Sequence, residues 1–197
     1  AYVICLARHL FFIDRGIRND NAWPKPAGIS LAGRTAGVVG LGDIGRNLAT
    51  RLTACGMNVI AYDPGIQGDA GVPDIVRADW LERIGEVDFL VFTCALNDAN
   101  RHMLNASVIA KMKREAYVVN VARGPLIDES ALTNALKASQ LAGAALDVYE
   151  QEPLSATSEL RNLDNCILGS HNGSNTVDGV NRASHQAVVT LEKFFNS

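Results

Sequence analysis

The sequence predicts an α/β protein built on a parallel, doubly wound β-sheet. Two observations indicate this fold. Short apolar segments with strand character alternate with segments of helical periodicity along most of the chain. A glycine-rich turn also joins the first of these strands to the helix that follows it. Because parallel sheets of apolar strands are covered on both faces, the alternation favours helices on either side of the sheet.

Each element is predicted from its own spacing of apolar residues. Residues 2–18 repeat apolar side chains at helical spacing, and two prolines within 23–28 rule out further helix. The predicted strands are 35–40, 57–62, 87–93, 116–121, 142–148 and 166–168. The predicted helices after the first are 44–55, 78–84, 106–112, 129–139 (with Asp128 as N-cap) and 176–195.

Composition and charge disfavour several classes of function. The 197 residues carry a net charge of −3, which supplies no basic field for nucleic acid or anionic lipid. No apolar run approaches the ~18–20 residues needed to span a bilayer. The four cysteines form no CxxC pair, which favours a reducing, cytoplasmic setting. We predict no metal site, no nucleic-acid partner and no membrane association.

A glycine-rich loop lies between the first strand and its helix. Gly40, Gly42 and Gly45 form the pattern G-x-G-x-x-G, with Asp43 and Ile44 before the last glycine. The first glycine permits a tight turn, the second lets the backbone approach a pyrophosphate, and the third lets helix and strand pack closely. The N–H groups that open the helix add a positive dipole end for the anion. In this context the motif predicts a Rossmann-type site for a dinucleotide.

An acidic residue ends the second strand, in the pair Asp63-Pro64, eighteen positions beyond Gly45. A carboxylate there can accept hydrogen bonds from the hydroxyls of an adenosine ribose and would repel a 2′-phosphate. The alternative is that Asp63 only begins a turn before Pro64. No arginine follows Asp63 directly, so we predict NAD rather than NADP as the cofactor.

Polar residues follow the later strands, at the sheet edge where open α/β folds carry their chemistry. Arg123 ends the fourth predicted strand. Asp147 and Glu152 follow the fifth strand, and His171 follows the sixth. Each has a plainer interpretation, as a surface charge, a turn cap, a solvated loop acid or a histidine without a catalytic role. Their joint position beside a dinucleotide loop favours a catalytic role.

These residue types suit acid–base chemistry on a substrate that carries a carboxylate and a hydroxyl or carbonyl group. Oxidation of a hydroxyl group requires removal of its proton, and an imidazole, with an ordinary pKa of ~6.5, exchanges protons near neutrality. A carboxylate partner would stabilise the imidazolium and fix the orientation of the ring. The guanidinium of Arg123 can hold a substrate carboxylate bidentately and stabilise charge on the reacting oxygen.

Taken together, these segments resemble the D-isomer-specific 2-hydroxyacid dehydrogenase family. The resemblance rests on Gly40–Gly45, Val121-Ala-Arg-Gly124 with Ile127-Asp128-Glu129, Ala144–Tyr149 with Glu152-Pro153, and His171, and it runs along essentially the whole chain. It implies that Arg123 orients the substrate and that His171 is the general acid/base, paired with Glu152. It also implies cofactor contacts, with Asp147 holding the nicotinamide carboxamide and further contacts from Thr93, Cys94, Ala95, Val121 and Gly173.

The resemblance implies a larger protein as well. In that family a flavodoxin-like substrate domain accompanies the cofactor domain, and most of it would be missing from this chain. We expect an interdomain helix and crossover segment over 1–33, the NAD-binding domain over 34–175 and a return helix over 176–197. On this interpretation the chain is a truncated form with poor turnover by itself, and the protein forms a homodimer.

Two other functions stay open on the sequence. Corepressors of the C-terminal-binding-protein type share this fold and catalytic set but act as NAD(H)-sensing modules that bind proteins. A non-catalytic nucleotide-binding fold is the third alternative. The small-molecule substrate is equally open among glyoxylate, hydroxypyruvate, 3-phosphoglycerate and bulkier 2-oxo acids. The Gly-Ser pair before His171 resembles phosphoglycerate-dehydrogenase-like members, and Glu152 disfavours formate dehydrogenase activity, for which Gln is usual.

Overall fold

A computed structural model describes residues 1–66 and 71–195 of the chain. The helices are α1 (Tyr2–Ala7), α2 (Leu10–Asn19), α3 (Asp43–Ala54), α4 (Ala106–Ile109), α5 (Glu129–Lys137) and α6 (Val177–Phe195). The strands are β1 (Thr35–Val39), β2 (Asn58–Tyr62), β3 (Ile75–Arg77), β4 (Phe89–Phe92), β5 (Tyr117–Asn120), β6 (Gly143–Leu146) and β7 (Cys166–Leu168). Short 3₁₀ turns cover Ile84–Glu86, Gly124–Leu126 and Glu159–Asn162.

The seven strands form one parallel sheet in the order β3-β2-β1-β4-β5-β6-β7. The chain starts in the middle at β1, runs outwards through β2 and β3, and then crosses to β4 on the other side of β1. In the register Val39 pairs with Tyr62 on one side and with Phe92 on the other, so three strands end level. Such a reversal of winding leaves a crevice at the carboxyl edge, where open α/β sheets bind ligands. The predicted Rossmann-type fold is confirmed.

Apolar side chains cover both faces of this sheet. On one face, residues such as Leu90 and Phe92 pack against apolar side chains of α4 and α5. On the other face, Val38 and Phe89 pack against α1 and α3. All four residues of β4 and all four of β5 are buried, rather than every second one. This continuous burial is what a sheet with helices on both faces requires.

The predicted helix over 2–18 is wrong in one respect, because the structure divides it in two. His9 has φ 53°, a left-handed conformation that separates α1 from α2. The Ile29 N–H donates to the Ala7 carbonyl at 2.8 Å, so the crossover segment closes on the end of α1. Because of this break, α1 packs into the core beside the sheet, whereas α2 lies outside that core and has only Gly16 buried.

The segment between β2 and β4 also differs from the prediction. Turns occupy the positions of the helix predicted over 78–84, which is wrong. Leu81 and Arg83 have φ values of 77° and 58°, and left-handed residues interrupt an α-helix. The Trp80 ring instead packs edge-to-face on Tyr62 at 5.5 Å, so aromatic packing sets this segment. The three-residue strand β3, which precedes it, is a seventh strand that the apolar pattern does not predict.

The remaining elements agree with the prediction within a few residues. α4 is shorter than 106–112, and α5 begins as expected, with Asp128 Oδ1 accepting from the Ala131 N–H at 2.9 Å. Within the described part of the chain, α6 has no buried residue. Among the helices of that part, none combines the length and apolarity that crossing a membrane requires.

Candidate active site

The shape of the loop between β1 and α3 requires glycines, which have no side chain. Gly40 has φ +91°, and a Cβ there would lie 2.6 Å from the Cα of Cys94. A Cβ on Gly45 would overlap the carbonyl oxygen of Gly40, because the first turn of α3 passes over the end of β1. Around Gly42, by contrast, no described atom lies within 4 Å of an added Cβ. The loop is packed against protein at Gly40 and Gly45 and is open at Gly42, where a pyrophosphate would approach.

The N-terminus of α3 suits an anion. Its N-cap residue is Gly42, so no side chain at that position satisfies the first N–H groups of the helix. Free N–H groups and the positive end of the helix dipole favour a phosphate at such a position. The open space and the donors together fit the diphosphate of a dinucleotide.

Asp63 accepts hydrogen bonds at both carboxylate oxygens, one from the glycine loop and one from its own turn. Oδ2 accepts from the Leu41 N–H at 2.6 Å, and Oδ1 accepts from the Gly65 N–H at 2.8 Å. The hydroxyl of Thr93 lies 2.7 Å from the Gly40 carbonyl and joins the loop to the end of β4. Each carboxylate oxygen keeps a further lone pair, so the turn that Asp63 begins leaves it able to accept from ribose hydroxyls.

A cleft of about 880 Å³ runs along the carboxyl ends of β1, β2 and β4, a volume typical of ligand pockets. Seven predicted cofactor residues line it: Gly40, Gly42, Asp63, Pro64, Thr93, Cys94 and Ala95. The sequence interpretation missed other residues that line the cleft, among them Tyr62, Ala78, Asp79, Trp80, Leu81, Asn100 and His102. The Pro73-Asp74 turn before β3 was the available signal for those that follow β3, since it marks the start of a strand.

Other residues predicted to bind the cofactor lie outside the lining of this cleft: Asp43, Ile44, Gly45, Val121, Asp147 and Gly173. Asp43 and Ile44 are exposed in the first turn of α3, whereas Gly45 is buried in it. Among the cleft residues, burial raises the pKa of the Cys94 thiol, so this side chain stays protonated near neutrality.

His171 and Glu152 form a hydrogen-bonded pair. Nδ1 of the imidazole lies 2.7 Å from Oε2 of the carboxylate. The other carboxylate oxygen accepts from the Tyr149 N–H at 3.1 Å. His171 itself has φ 57°, and its backbone N–H donates to the Asp147 carbonyl at 2.7 Å. Both members of the pair are therefore anchored to the backbone at the end of β6.

The environment of Glu152 keeps its carboxylate charged. Burial opposes ionisation, but hydrogen bonds from the His171 ring and from the Tyr149 amide outweigh it and lower the pKa of Glu152. The side chains of His171 and Glu152 are 47% and 36% exposed, so a small molecule from solution can contact the pair. A charged carboxylate fixed to one ring nitrogen is the arrangement that orients an imidazole for proton exchange.

Asp147 is buried and accepts hydrogen bonds from the loop that carries His171. Its carboxylate accepts from the backbone N–H groups of Asn172, at 3.2 Å, and Gly173, at 2.8 Å. The hydroxyl of Tyr2 donates to it at 3.3 Å, and burial, followed by the nearby Asp147 charge, raises the pKa of that phenol. These bonds attach α1 and the loop after β7 to the end of β6.

Arg123 is exposed at the end of the β5 loop, and a buried asparagine shapes its backbone. Asn120 Nδ2 donates to the Arg123 carbonyl at 2.9 Å, and Asn120 Oδ1 accepts from the Ala122 N–H at 3.0 Å. Nη1 of the guanidinium donates to the Ala122 carbonyl at 2.6 Å. Asn120 is a positioning residue that the sequence interpretation missed, although its place at a strand end beside Arg123 was a usable signal.

The sheet order brings the predicted residues to one edge. The strands β4, β5, β6 and β7 are adjacent and parallel, so the loops that bear Thr93, Arg123, Glu152 and His171 are neighbours. A Cβ on Gly124 would overlap the Tyr149 carbonyl, which shows that the β5 and β6 loops touch. In the described chain no hydrogen bond or ion pair joins Arg123 to the histidine–glutamate pair, which lines its own pocket of about 680 Å³.

Comparison with known proteins assigns the chain to a family. Residues 1–173 match the family described as "D-isomer specific 2-hydroxyacid dehydrogenase, NAD binding domain". The chain belongs to this family. The resemblance drawn from the sequence is confirmed, and so is NAD as the cofactor of the domain. The predicted site residues, from Gly40 to Gly173, all fall inside the matched stretch.

Individual relatives of this dehydrogenase domain agree. A glyoxylate reductase from Thermofilum pendens is 34% identical over 96% of the chain and 58% of its own length. A D-3-phosphoglycerate dehydrogenase from Methanocaldococcus jannaschii is 41% identical over 84% of the chain and 32% of its own length. The solved structure of a D-2-hydroxyisocaproate dehydrogenase superposes with a TM-score of 0.91 at 27% identity, covering 98% of this chain and 63% of the other. The chain therefore spans less than two thirds of each of these relatives.

Proposed function

We propose that the complete protein is an NAD-dependent oxidoreductase that interconverts a 2-hydroxy acid and the corresponding 2-oxo acid. The observation that carries the proposal is the 2.7 Å contact between His171 Nδ1 and Glu152 Oε2. This acid–base pair follows β6 and β7, on the same sheet edge as the glycine loop after β1. The relatives named above as a glyoxylate reductase and a phosphoglycerate dehydrogenase support this class of substrate.

His171 is the proposed general acid/base. Because Glu152 engages Nδ1, the ring has Nε2 left to exchange a proton with the oxygen of the substrate. In the reducing direction the imidazolium donates this proton to the carbonyl oxygen, and in the oxidising direction the neutral ring accepts it. Glu152, whose pKa is lowered, stays ionised and stabilises the charged ring.

Arg123 is the proposed substrate-orienting residue. A planar guanidinium binds a carboxylate with two parallel hydrogen bonds, and it also stabilises negative charge that develops on a neighbouring carbonyl oxygen. The exposed position of Arg123 and the buried Asn120 beneath it support this role, since the loop backbone is held while the side chain stays accessible.

The cleft beside the glycine loop is the proposed cofactor site, and NAD(H) bound there supplies or accepts the hydride. The N–H groups at the start of α3 would hold the diphosphate, and Asp63 would accept from the ribose. Asp147 is proposed to hold the carboxamide. Its contacts with Asn172 and Gly173 support a second role for it, which is to hold the loop of His171 in place.

The flanking helices are proposed to join this domain to the rest of the protein. We place the NAD-binding domain at 34–175, with 1–33 and 176–197 leading to a substrate domain. The exposure of α6 supports this assignment. We propose a homodimer, cytoplasmic in location, with α2 at the interface. Large apolar side chains exposed on α2 support such a contact: Leu10, Phe11, Phe12 and Ile17. The four free cysteines agree with a reducing compartment.

The test is NADH oxidation by the complete protein with glyoxylate, hydroxypyruvate, phosphohydroxypyruvate and bulkier 2-oxo acids. His171→Asn should lower kcat by about 10³-fold, within the range for loss of a general acid. NADH affinity, followed through the emission of Trp80 in the cleft, should change less than about twofold. Glu159→Gln, a surface carboxylate paired with Lys137, is the control for Glu152→Gln. NAD-dependent capture of a protein partner without turnover would favour the corepressor alternative instead.

A further inference from the structure

A second histidine–carboxylate cluster lies between the loops of the candidate active site. We name it the Glu150 cluster, and its members are His102, Glu129 and Glu150. His102 belongs to the loop after β4, Glu129 is the first residue of α5, and Glu150 lies between β6 and Glu152. None of these three side chains has a role in the proposed proton or hydride transfer.

The two glutamates bind each other's backbone. Oε1 of Glu150 accepts from the Glu129 N–H at 2.9 Å, and Oε2 of Glu129 accepts from the Glu150 N–H at 3.2 Å. Each carboxylate thus satisfies an N–H group that belongs to the other loop. This reciprocal pair attaches the start of α5, six residues after Arg123, to the segment two residues before Glu152.

His102 adds the third loop. The ring Nε2 of His102 lies 3.2 Å from Glu150 Oε1, and the backbone N–H of His102 donates to the Pro125 carbonyl at 2.8 Å. Among the described residues this ring nitrogen is buried and has no hydrogen-bond partner, and Glu150 Oε1 is the carboxylate oxygen beside it. Leu104 strengthens the junction, because it forms a parallel bridge with Ile127.

The two carboxylates of the cluster interact through their charges. Burial and, to a smaller extent, the negative Glu150 raise the pKa of Glu129, while the hydrogen bond from the Glu150 amide lowers it. Two carboxylates held this close repel each other when both are ionised. The reciprocal hydrogen bonds from the two backbone N–H groups offset part of that repulsion.

The backbone of Glu150 also touches the loop of Arg123. A Cβ on Gly124 would lie 2.5 Å from the Glu150 nitrogen and would overlap the Tyr149 carbonyl. The neighbouring Tyr149 N–H is the donor to Glu152. A shift of residues 149–150 would therefore move both the loop of Arg123 and the partner of His171.

We propose that the Glu150 cluster sets the position of Arg123 relative to the His171–Glu152 pair. Its members act through other residues and are positioning residues. The inference rests on the proposed function, because it concerns the geometry in which a 2-oxo acid would be bound and reduced. An error of about 1 Å in such geometry can lower the rate about 100-fold.

The test uses Glu150→Ala and Glu150→Gln in the complete protein. We expect Glu150→Ala to lower kcat/KM for the best 2-oxo acid by about 30-fold. NADH affinity should fall less, by no more than about threefold, because only its partner His102, and not Glu150 itself, lines the cofactor cleft. Glu150→Gln keeps a neutral acceptor and should recover part of the loss. Glu86→Gln, a carboxylate paired with Arg83 away from the site, is the matched control and should change neither value.

A double-mutant cycle distinguishes positioning from general destabilisation. If Glu150 acts through Arg123, Glu150→Ala should cost less than about threefold in an Arg123→Ala background, whereas an independent loss of folded protein would add fully. Equal effects of Glu150→Ala in both backgrounds would overturn the inference, and so would unchanged kcat/KM in the single variant.

Binding of oxamate, an isostere of pyruvate, to the NADH-loaded protein needs no turnover. Glu150→Ala should weaken it by about tenfold, equal to about 1.4 kcal/mol. Oxamate binding in a wild-type protein without turnover would overturn the proposed reaction, and the loss in Glu150→Ala would still support the cluster. A wild-type protein that neither binds oxamate nor turns over would overturn both, whereas equal oxamate affinity in the variant and the wild type would overturn the cluster alone.

Discussion

The two halves of the carboxyl edge differ in what holds their shape. In the cofactor half, Gly40 and Gly45 allow β1, α3 and the loop after β4 to approach so closely that an added methyl group would overlap backbone atoms. In the acid–base half, Glu152 and Asp147 hold the loops by accepting hydrogen bonds from backbone N–H groups. The acid–base half also has such an approach at Gly124, and in the cofactor half Asp63 also accepts from the Leu41 N–H. The halves therefore differ in degree, with close packing at glycines more prominent in the first and carboxylate acceptors more prominent in the second.

This difference predicts different main sensitivities to substitution. The cofactor half should be disrupted most by side chains that are added, because close-packed backbone cannot move aside cheaply. The acid–base half should be disrupted most when an acceptor or donor is removed, because buried N–H and carbonyl groups then lose their partners. The five predictions below test this contrast, and their effects on stability run from the largest expected change to the smallest.

The largest effect is expected at the third glycine of the loop. Gly45→Ala should lower the free energy of unfolding by about 3 kcal/mol, since its Cβ would overlap the Gly40 carbonyl. Gly42→Ala meets no described atom and should cost only about 1 kcal/mol. Urea denaturation of both variants measures the difference.

Gly42, although less important for packing than Gly45, should matter for cofactor binding. Gly42→Ala is expected to weaken NADH binding by about tenfold, because the methyl group would occupy space needed by the diphosphate. Full NADH affinity in folded Gly42→Ala would contradict the assignment of the open position to the cofactor.

The next effect concerns Asn120 under the Arg123 loop. Asn120→Ala would leave the Ala122 N–H and the Arg123 carbonyl without their side-chain partner, at a cost of about 2 kcal/mol. Asn47→Ala, an exposed asparagine on α3, is the control and should cost less than about 0.5 kcal/mol. Thermal denaturation compares them, and equal losses would show that the acid–base half does not depend on this amide.

A matched pair of hydroxyl deletions compares the two halves directly. The Thr93 hydroxyl lies within hydrogen-bonding distance of the Val39 and Gly40 carbonyls, and the Tyr149 hydroxyl lies within hydrogen-bonding distance of the Leu146 and Gly169 carbonyls. Thr93→Val and Tyr149→Phe should each cost about 1 kcal/mol, measured by urea denaturation. A much larger loss in one variant would show that its half depends on side-chain hydroxyls more than the other.

The smallest effect is a dependence on pH. The pKa of Glu152 is lowered from 4.5, so its carboxylate contributes stability above about pH 4.5. That contribution should be lost as the pH falls through the lower pKa of the folded state. The difference in Tm between the wild type and Glu152→Gln should therefore shrink as the pH falls below about 4.5. A constant difference over this range would contradict the hydrogen-bonded, ionised carboxylate.

The accuracy of sequence-based prediction differs between local and distant features. The glycine loop and the N-cap Asp128 are local, because the residues that form them are within a few positions of each other. The break at His9 and the strand β3 escaped prediction, because a left-handed residue and a three-residue edge strand leave no periodic signal. The Glu150 cluster was also missed, since its contacts join loops that are far apart in the chain. Asn120 was missed although its contacts with residues 122 and 123 are local, because an asparagine at a strand end does not by itself specify which backbone groups it binds.

What the sequence by itself determined is the doubly wound fold, the phosphate loop and the set of polar residues at the strand ends. These follow from periodicity and from glycine spacing, which act over a few residues. The pairing of Glu152 with His171 across nineteen positions was implied by the family resemblance and not by any local pattern, and the tertiary structure shows the contact itself. Only the tertiary structure decided that Asp147 holds the loop beside them. The physical reason is that hydrogen-bond partners between loops depend on the order of strands in the sheet, which no local pattern specifies.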